Sequence, residues 1–134
     1  YVLTELSRAR LLHGDAEAAV HQAEQAISEL GSEARLERAR AETALASALA
    51  ALGRKEEASE VFDRAANTLT QLHASRHAAR AWVELGNMLD EAGNPAAAVR
   101  AFRQATAAMN LLAPATTQNG ARQLPFGSSQ EADK

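Results

Sequence analysis

The sequence predicts an all-α fold in which three helical hairpins stack into an α-solenoid. Thirty-three of the 134 residues are alanine, and leucine, glutamate, glutamine and arginine fill most of residues 2–112. These residues lose little side-chain freedom in a helix, so local propensity favours helix almost throughout. No segment shows the alternation of apolar and polar residues, enriched in β-branched side chains, that is typical of a strand. Glycines divide the helical sequence at a regular spacing, which indicates repeated units.

Six helices are predicted, and the short connections between them make neighbouring helices antiparallel. Leucines recur at helical spacing within the third helix, and Trp82, Leu85 and Leu89 do so within the fifth. In order along the chain, the predicted helices span residues 2–13, 15–30, 33–52, 55–73, 76–92 and 95–112.

Glycine marks four predicted helix ends, because it adopts without strain the left-handed conformation that ends many helices. Asp15, Ser75 and Asn94 are placed as N-caps, since their side chains accept hydrogen bonds from the free N–H groups of a first helical turn. Pro95 takes the first position of the last helix, where its missing N–H costs nothing. The four glycines are Gly14, Gly31, Gly53 and Gly93.

The most informative feature is a repeat of 39–40 residues, set by three of these glycines. An alanine lies five residues after each glycine. A leucine lies eight residues before each glycine, and a small residue follows that leucine directly. Small residues on both helices of a pair let the helix axes approach to about 8 Å. Such a hairpin must stack on its neighbours to bury its remaining apolar face. The repeated positions are Ala19, Ala58 and Ala98, then Leu6, Leu45 and Leu85, then Ser7, Ala46 and Gly86.

In the third unit, Trp82, Leu85, Gly86 and Leu89 precede Gly93, and Ala98, Phe102 and Ala105 follow it. With these residues the unit resembles the tetratricopeptide repeat nearly column for column. In the second unit Phe62 matches the family's aromatic position, but Glu42 replaces its tryptophan. The first unit matches less well, because Arg10 and Ala23 replace an apolar and an aromatic residue.

The resemblance implies a right-handed superhelix over residues 1–112, although its period exceeds the usual 34 residues of the family. In that family the first helix of each pair lines a concave groove that holds a peptide. The implied units span residues 1–31, 32–74 and 75–112.

Transferred by register, seven residues are candidates for this groove. Arg40 and Arg80 occupy matching places, and arginine binds carboxylates with paired N–H donors, which suits an acidic or C-terminal peptide. Asn87 matches a position where family members hold a peptide backbone with an amide. The alternative is that both arginines are surface charges that pair with nearby glutamate or aspartate. The candidates are Arg40, Thr43, Ser47, Arg80, Val83, Asn87 and Asp90.

The long period and the preference for arginine over lysine are similar to the C-terminal repeat halves of actinobacterial helix-turn-helix regulators of the Xre type. This resemblance implies a cytoplasmic protein- or peptide-binding module, the sensory or assembly domain of a bacterial transcription regulator. Its DNA-binding part would precede Tyr1. The alternative is a structural scaffold or oligomerisation module without a small ligand.

Composition argues against several other classes of protein. The formal charge of −3 has the wrong sign for direct nucleic-acid binding, and no apolar stretch is long enough to span a membrane. Without cysteine there is no thiolate nucleophile, and without strands no Gly-rich phosphate loop follows a strand, so we expect neither an enzyme nor a cofactor. His73 and His77 have the spacing of a metal pair on one helix, but Ser75 indicates a turn between them, and we predict no metal site.

Residues 113–134 differ from the rest, because they are polar, contain prolines and glycines, and show no periodicity. They are predicted to form a disordered tail whose one apolar cluster spans residues 124–126. The last predicted helix is apolar enough to need a cover. We expect the tail or a second copy of the chain, in a homodimer through the terminal helices, to cover Val99, Phe102, Met109, Leu111 and Leu112.

Overall fold

The structure is a computed structural model that describes the backbone of residues 1–120 and the side chains of residues 1–112. All regular structure within the described residues is helical, which confirms the predicted all-α class. Through residue 112, each helix end lies within two residues of its predicted position. The helices are α1 (Val2–Leu12), α2 (Ala16–Glu29), α3 (Arg35–Ala51), α4 (Lys55–Gln71), α5 (Ser75–Glu91) and α6 (Pro95–Gly120).

The six helices form three hairpins, α1–α2, α3–α4 and α5–α6, which stack through contacts of α2 with α3 and of α4 with α5. The first helices also contact one another, α1 with α3 and α3 with α5. The second helices of neighbouring hairpins stand farther apart and leave open grooves between them. The stack is therefore tighter on the side of α1, α3 and α5, which we call the inner face, than on the outer face of α2, α4 and α6.

The predicted glycine helix ends are confirmed at Gly14, Gly53 and Gly93, whose φ angles are 84°, 82° and 83°. At the end of α3, the N–H of Gly53 donates to the Ala50 carbonyl and the N–H of Arg54 to the Leu49 carbonyl, both at 3.0 Å. This pair of bonds satisfies carbonyl groups that the end of a helix leaves free, and it requires a left-handed residue.

The fourth left-handed position holds a histidine, not the predicted Gly31. Leu30 ends α2 in an extended conformation with a ψ of 137°, so the chain leaves this helix without a left-handed turn. At the end of α4, His73 has a φ of 59° and its N–H donates to the Thr70 carbonyl at 3.1 Å. The prediction that His73 lies in the last turn of its helix is therefore wrong, because the residue makes the turn that follows the helix.

Two of the three predicted N-caps are confirmed. The carboxylate of Asp15 accepts from the N–H of Ala18 at 3.1 Å, and the amide oxygen of Asn94 from the N–H of Ala97 at 3.3 Å. The prediction for Ser75 is wrong, because α5 already begins at this residue and its preceding residue makes no side-chain cap.

The last helix is longer than predicted, since α6 continues through Gly120 instead of ending at residue 112. It passes Pro114, although a proline has no N–H to donate to the carbonyl four residues earlier. The rest of the predicted tail, residues 121–134, lies outside the described residues, and so does its apolar cluster at 124–126.

Alanine fills the contacts between paired helices, as the repeat predicts: Ala19, Ala58 and Ala98 are all buried. Glycine is needed at Gly86, where an added Cβ would lie only 2.5 Å from a ring carbon of Phe102. Phe62 is 2% exposed, whereas its counterpart Phe102 is only half-buried on α6, the last helix that the structure describes. The same repeat position is therefore more deeply buried in the second hairpin than in the third.

Candidate functional site

Charged side chains from all three first helices meet on the inner face. A guanidinium nitrogen of Arg40, on α3, lies 3.2 Å from a carboxylate oxygen of Glu5 on α1. A second nitrogen of Arg40 lies 3.5 Å from Glu37, one turn earlier on α3. Arg40 thereby joins the first two hairpins across the inner face. Its Nε is buried and has no hydrogen-bond partner among the described side chains and backbone.

A second polar connection joins α3 to α5. The hydroxyl of Ser47 donates to Oε1 of Glu84 at 2.6 Å, and the other carboxylate oxygen of Glu84 lies 3.0 Å from Nε of Arg80. Ser47 therefore connects α3 to α5 on the inner face, and Arg80 is paired within its own helix. Both predicted arginines have glutamate partners, as the alternative prediction expects.

Arg8 also lies on the inner face, although it is not among the seven groove candidates. It is half-buried on α1 and, among residues 1–112, takes part in no ion pair. Burial lowers the pKa of its guanidinium, and the nearby charge of Arg80 lowers it further, while Glu84 and Glu5 oppose this. The register could have identified it, because Arg8 occupies the same repeat position as Ser47 and Asn87.

The pKa of His77 depends on the charges of the same face. Burial lowers the pKa of this imidazole, and the charges of Arg40 and Arg8 lower it further. Glu37 acts in the opposite direction and Arg80 in the same direction, both more weakly. The glutamates therefore do not cancel the positive potential of the arginines at this point, and the neutral imidazole is favoured.

The remaining groove candidates differ in accessibility. Val83, Asn87 and Asp90 are exposed on α5. The expectation that Thr43 faces a ligand is wrong, because this residue is 3% exposed and its hydroxyl donates to the Ala39 carbonyl at 3.0 Å. A threonine can satisfy its hydroxyl within its own helix in this way and then pack like an apolar residue.

The inner face is rich in guanidinium groups, contributed by Arg8, Arg40 and Arg80. Arginine offers five N–H donors and stays charged, which suits carboxylate recognition. His73 and His77 do not share one helix, because the left-handed turn at His73 separates them. The described residues contain no group of three or more side chains suited to hold a metal ion. Within residues 1–120, no helix has the combined length and hydropathy that a membrane span requires.

The sequence profile described as tetratricopeptide repeat matches residues 37–110, which is more than half of the chain. Comparisons with curated proteins and with solved structures gave no significant match.

Proposed function

This chain belongs to the tetratricopeptide-repeat family, and we propose that its inner face binds an acidic or C-terminal segment of a partner protein. Repeats of this family are protein-interaction modules. The observation that carries the finer proposal is Arg8, a half-buried guanidinium without an ion pair among the described residues. It lies close enough to Arg80 and Arg40 for their charges to lower its pKa.

A ligand carboxylate would complete the charge arrangement of this face. Arg8 offers its donors directly, whereas Arg40 and Arg80 are already bound to Glu5 and Glu84. We propose that Arg8 takes the ligand carboxylate first and that the two paired arginines add their remaining N–H groups. Asn87, exposed on α5, offers both a donor and an acceptor to the peptide backbone.

The same proposal places the chain in a cytoplasmic bacterial transcription regulator, as its sensory or assembly domain. Its support is the long-period, arginine-rich repeat, which resembles the repeat halves of helix-turn-helix regulators. The DNA-binding part would lie upstream of Tyr1, and we propose no direct nucleic-acid contact by residues 1–112. The test is to read the upstream part of the full gene. A helix-turn-helix there supports the regulator, and its absence contradicts that role while leaving the peptide site intact.

Binding to an array of acidic peptides with free C-terminal carboxylates tests the inner face. We expect Arg8→Ala to weaken binding by about 1.5–3 kcal/mol, the usual contribution of a hydrogen bond to a charged group. The combined substitution of Arg40, Arg80 and Asn87 by alanine should abolish binding. Arg10→Ala is the matched control, since this arginine is exposed on the same helix. Equal binding by the triple variant would contradict the proposal.

One observation favours the alternative of a scaffold or oligomerisation module. Helix α6 exposes several apolar side chains that no other described element covers, and a second copy could bury them in a homodimer through the terminal helices. Analytical ultracentrifugation of the chain and of Met109→Glu tests this idea. A dimer that the substitution dissociates supports the scaffold, and a monomer at high concentration refutes it. The exposed residues are Val99, Met109, Leu111 and Leu112.

A further inference from the structure

The outer face contains two grooves at matching places of the repeat. The α2/α4 groove lies between the second helices of the first two hairpins, and the α4/α6 groove between those of the last two. In the α2/α4 groove, the guanidinium of Arg64 lies 3.6 Å from the carboxylate of Glu42. Arg38 donates to the Leu30 carbonyl at 3.5 Å. The charges at the base of this groove are therefore satisfied within the chain.

The α4/α6 groove has a different base, although the backbone repeats. Forty residues after Arg38, Glu42 and Arg64, the sequence places uncharged residues. Trp82, Leu85 and Leu89 form the base of this groove, where Trp82 and Leu85 are buried and Leu89 is partly exposed. The groove has a volume of about 540 Å³. The three replacing residues are Ala78, Trp82 and Gln104.

The two walls of the α4/α6 groove carry unequal charge. Glu60 and Asp63 line the α4 wall one helical turn apart, and both are exposed. Arg100 lies on the α6 wall. None of these three takes part in an ion pair within residues 1–112. The groove thus combines a base of mostly buried apolar residues with an acidic wall, and its net charge is negative.

We propose that the α4/α6 groove docks a basic amphipathic segment of a partner protein. An apolar side chain of the segment packs on Leu89 at the base of the groove, and a lysine or arginine faces Glu60 and Asp63. Charge complementarity selects this occupant, because the acidic wall repels an acidic peptide and the phosphates of a nucleic acid. The groove lies on the opposite side of the stack from Arg8, so it is a second interaction surface with the opposite charge preference.

Trp82 provides the readout, since it is the one tryptophan of the chain and lies at the base of the groove. The probes are an amphipathic peptide of leucine and lysine and a matched peptide in which glutamate replaces lysine. Added to the full chain, the leucine–lysine peptide should shift the Trp82 emission, because it brings positive charge close to the buried indole. The leucine–glutamate peptide should not shift it.

Removing the two negative charges of the α4 wall distinguishes binding in the groove from a general attraction of the peptide to an acidic protein. We expect the Glu60→Gln, Asp63→Asn double variant to weaken binding of the leucine–lysine peptide at least tenfold. Glu24→Gln is the matched control, because Glu24 lines the α2/α4 groove at the position corresponding to Asp63 and its substitution should leave binding unchanged. Arg8→Ala should also leave it unchanged, which separates this site from the inner face.

The proposal is overturned if the leucine–lysine peptide does not bind, or if it binds without changing the Trp82 signal. It is also overturned if the double variant and Glu24→Gln weaken binding equally, or if the leucine–glutamate peptide binds as well as its lysine counterpart.

Discussion

The two joints of the stack differ in chemistry although the repeat gives them the same backbone plan. The first joint, between the α1–α2 and α3–α4 hairpins, has Glu42 at the position where the second joint, between α3–α4 and α5–α6, has Trp82. Glu42 pairs with Arg64 at 3.6 Å. Trp82 is 6% exposed, and its indole N–H donates to the Thr70 hydroxyl at 3.3 Å. One repeat position can therefore hold either an ion pair or a buried aromatic ring.

This difference has an energetic consequence. Burying a large aromatic side chain removes roughly 150–250 Å² from water, at about 25 cal/mol per Å². An ion pair that remains partly in contact with solvent contributes about 0–1 kcal/mol. Arg64 is 59% exposed at its side chain, so its pair with Glu42 belongs to the weaker class. The second joint is therefore the stronger one, and we expect the first hairpin to separate first.

The largest expected effect comes from removing the aromatic ring of the second joint. Trp82→Ala should lower the free energy of unfolding by about 3–5 kcal/mol, because it leaves a cavity between α4 and α5. Glu42→Ala, at the matching position of the first joint, should cost less than about 1 kcal/mol. Urea unfolding followed by circular dichroism measures both. Equal losses would contradict the contrast between the joints.

The turn that precedes α5 in the second joint offers a stabilising change. His73 has a φ of 59°, a conformation that costs a side-chain-bearing residue roughly 1–2 kcal/mol and glycine nothing. After the entropy that glycine loses on folding, His73→Gly should stabilise the fold by about 0.5–1 kcal/mol. His13→Gly is the control, because His13 has a φ of −87° at the end of α1 and should not gain. Thermal unfolding of both variants tests the prediction, and a loss of stability in His73→Gly would refute it.

A smaller effect is expected for the ion pair of the first joint. A double-mutant cycle with Glu42→Gln and Arg64→Gln should give a coupling of about 0.2–1 kcal/mol. The coupling should fall as salt is added, since a partly exposed pair is screened. The matched cycle in the second joint, Trp82→Phe with Thr70→Val, should show no salt dependence. A coupling in the first joint that does not respond to salt would mean that the pair is shielded from solvent.

The smallest expected effect is a pH dependence that arises where the two joints meet on the inner face. Burial and the charges of Arg40 and Arg8 lower the pKa of His77, so folding favours its neutral form. The stabilisation is complete above the ordinary histidine pKa of about 6.5 and is lost as the pH falls below it, because the unfolded chain takes up the proton first. Thermal unfolding between about pH 7.5 and 5 should show this loss in the chain and a smaller loss in His77→Gln. Parallel curves would contradict it.

Much of the fold could be predicted because the repeat specifies backbone features that only certain residues allow. Gly14, Gly53 and Gly93 mark left-handed turns, and Asp15 and Asn94 begin helices, all as the structure has them. Local propensity does not identify the turn at His73, since only a small share of residues other than glycine adopt the left-handed conformation. The prediction at Gly31 is wrong because glycine can adopt the left-handed conformation but does not have to.

The candidate site was predicted less completely than the fold. The repeat register assigns a residue to a position on its helix, but it does not determine whether the side chain is exposed. The groove candidates therefore include the buried Thr43 together with the exposed Asn87. Glu5, which pairs with Arg40, and Glu84, which pairs with Arg80, occupy the repeat position of the buried Ala44, so the second unit alone does not indicate their role. Arg8 was missed because it lies in the unit that matches the family least. Charge pairing between hairpins depends on tertiary distances that a linear pattern does not contain.

The central claim is that the inner face provides unsatisfied positive charge to a ligand carboxylate, and the titration of His77 tests it most directly. Nuclear magnetic resonance should follow the imidazole of the full chain, alone and with an excess of tetraglutamate, with tetralysine as the control. The free chain should titrate below the ordinary histidine pKa of about 6.5. Tetraglutamate should raise the midpoint, because its carboxylates offset the charges of Arg8 and Arg40, and tetralysine should not. A midpoint at or above the ordinary value in the free chain, or one that tetraglutamate leaves unchanged, would contradict the claim.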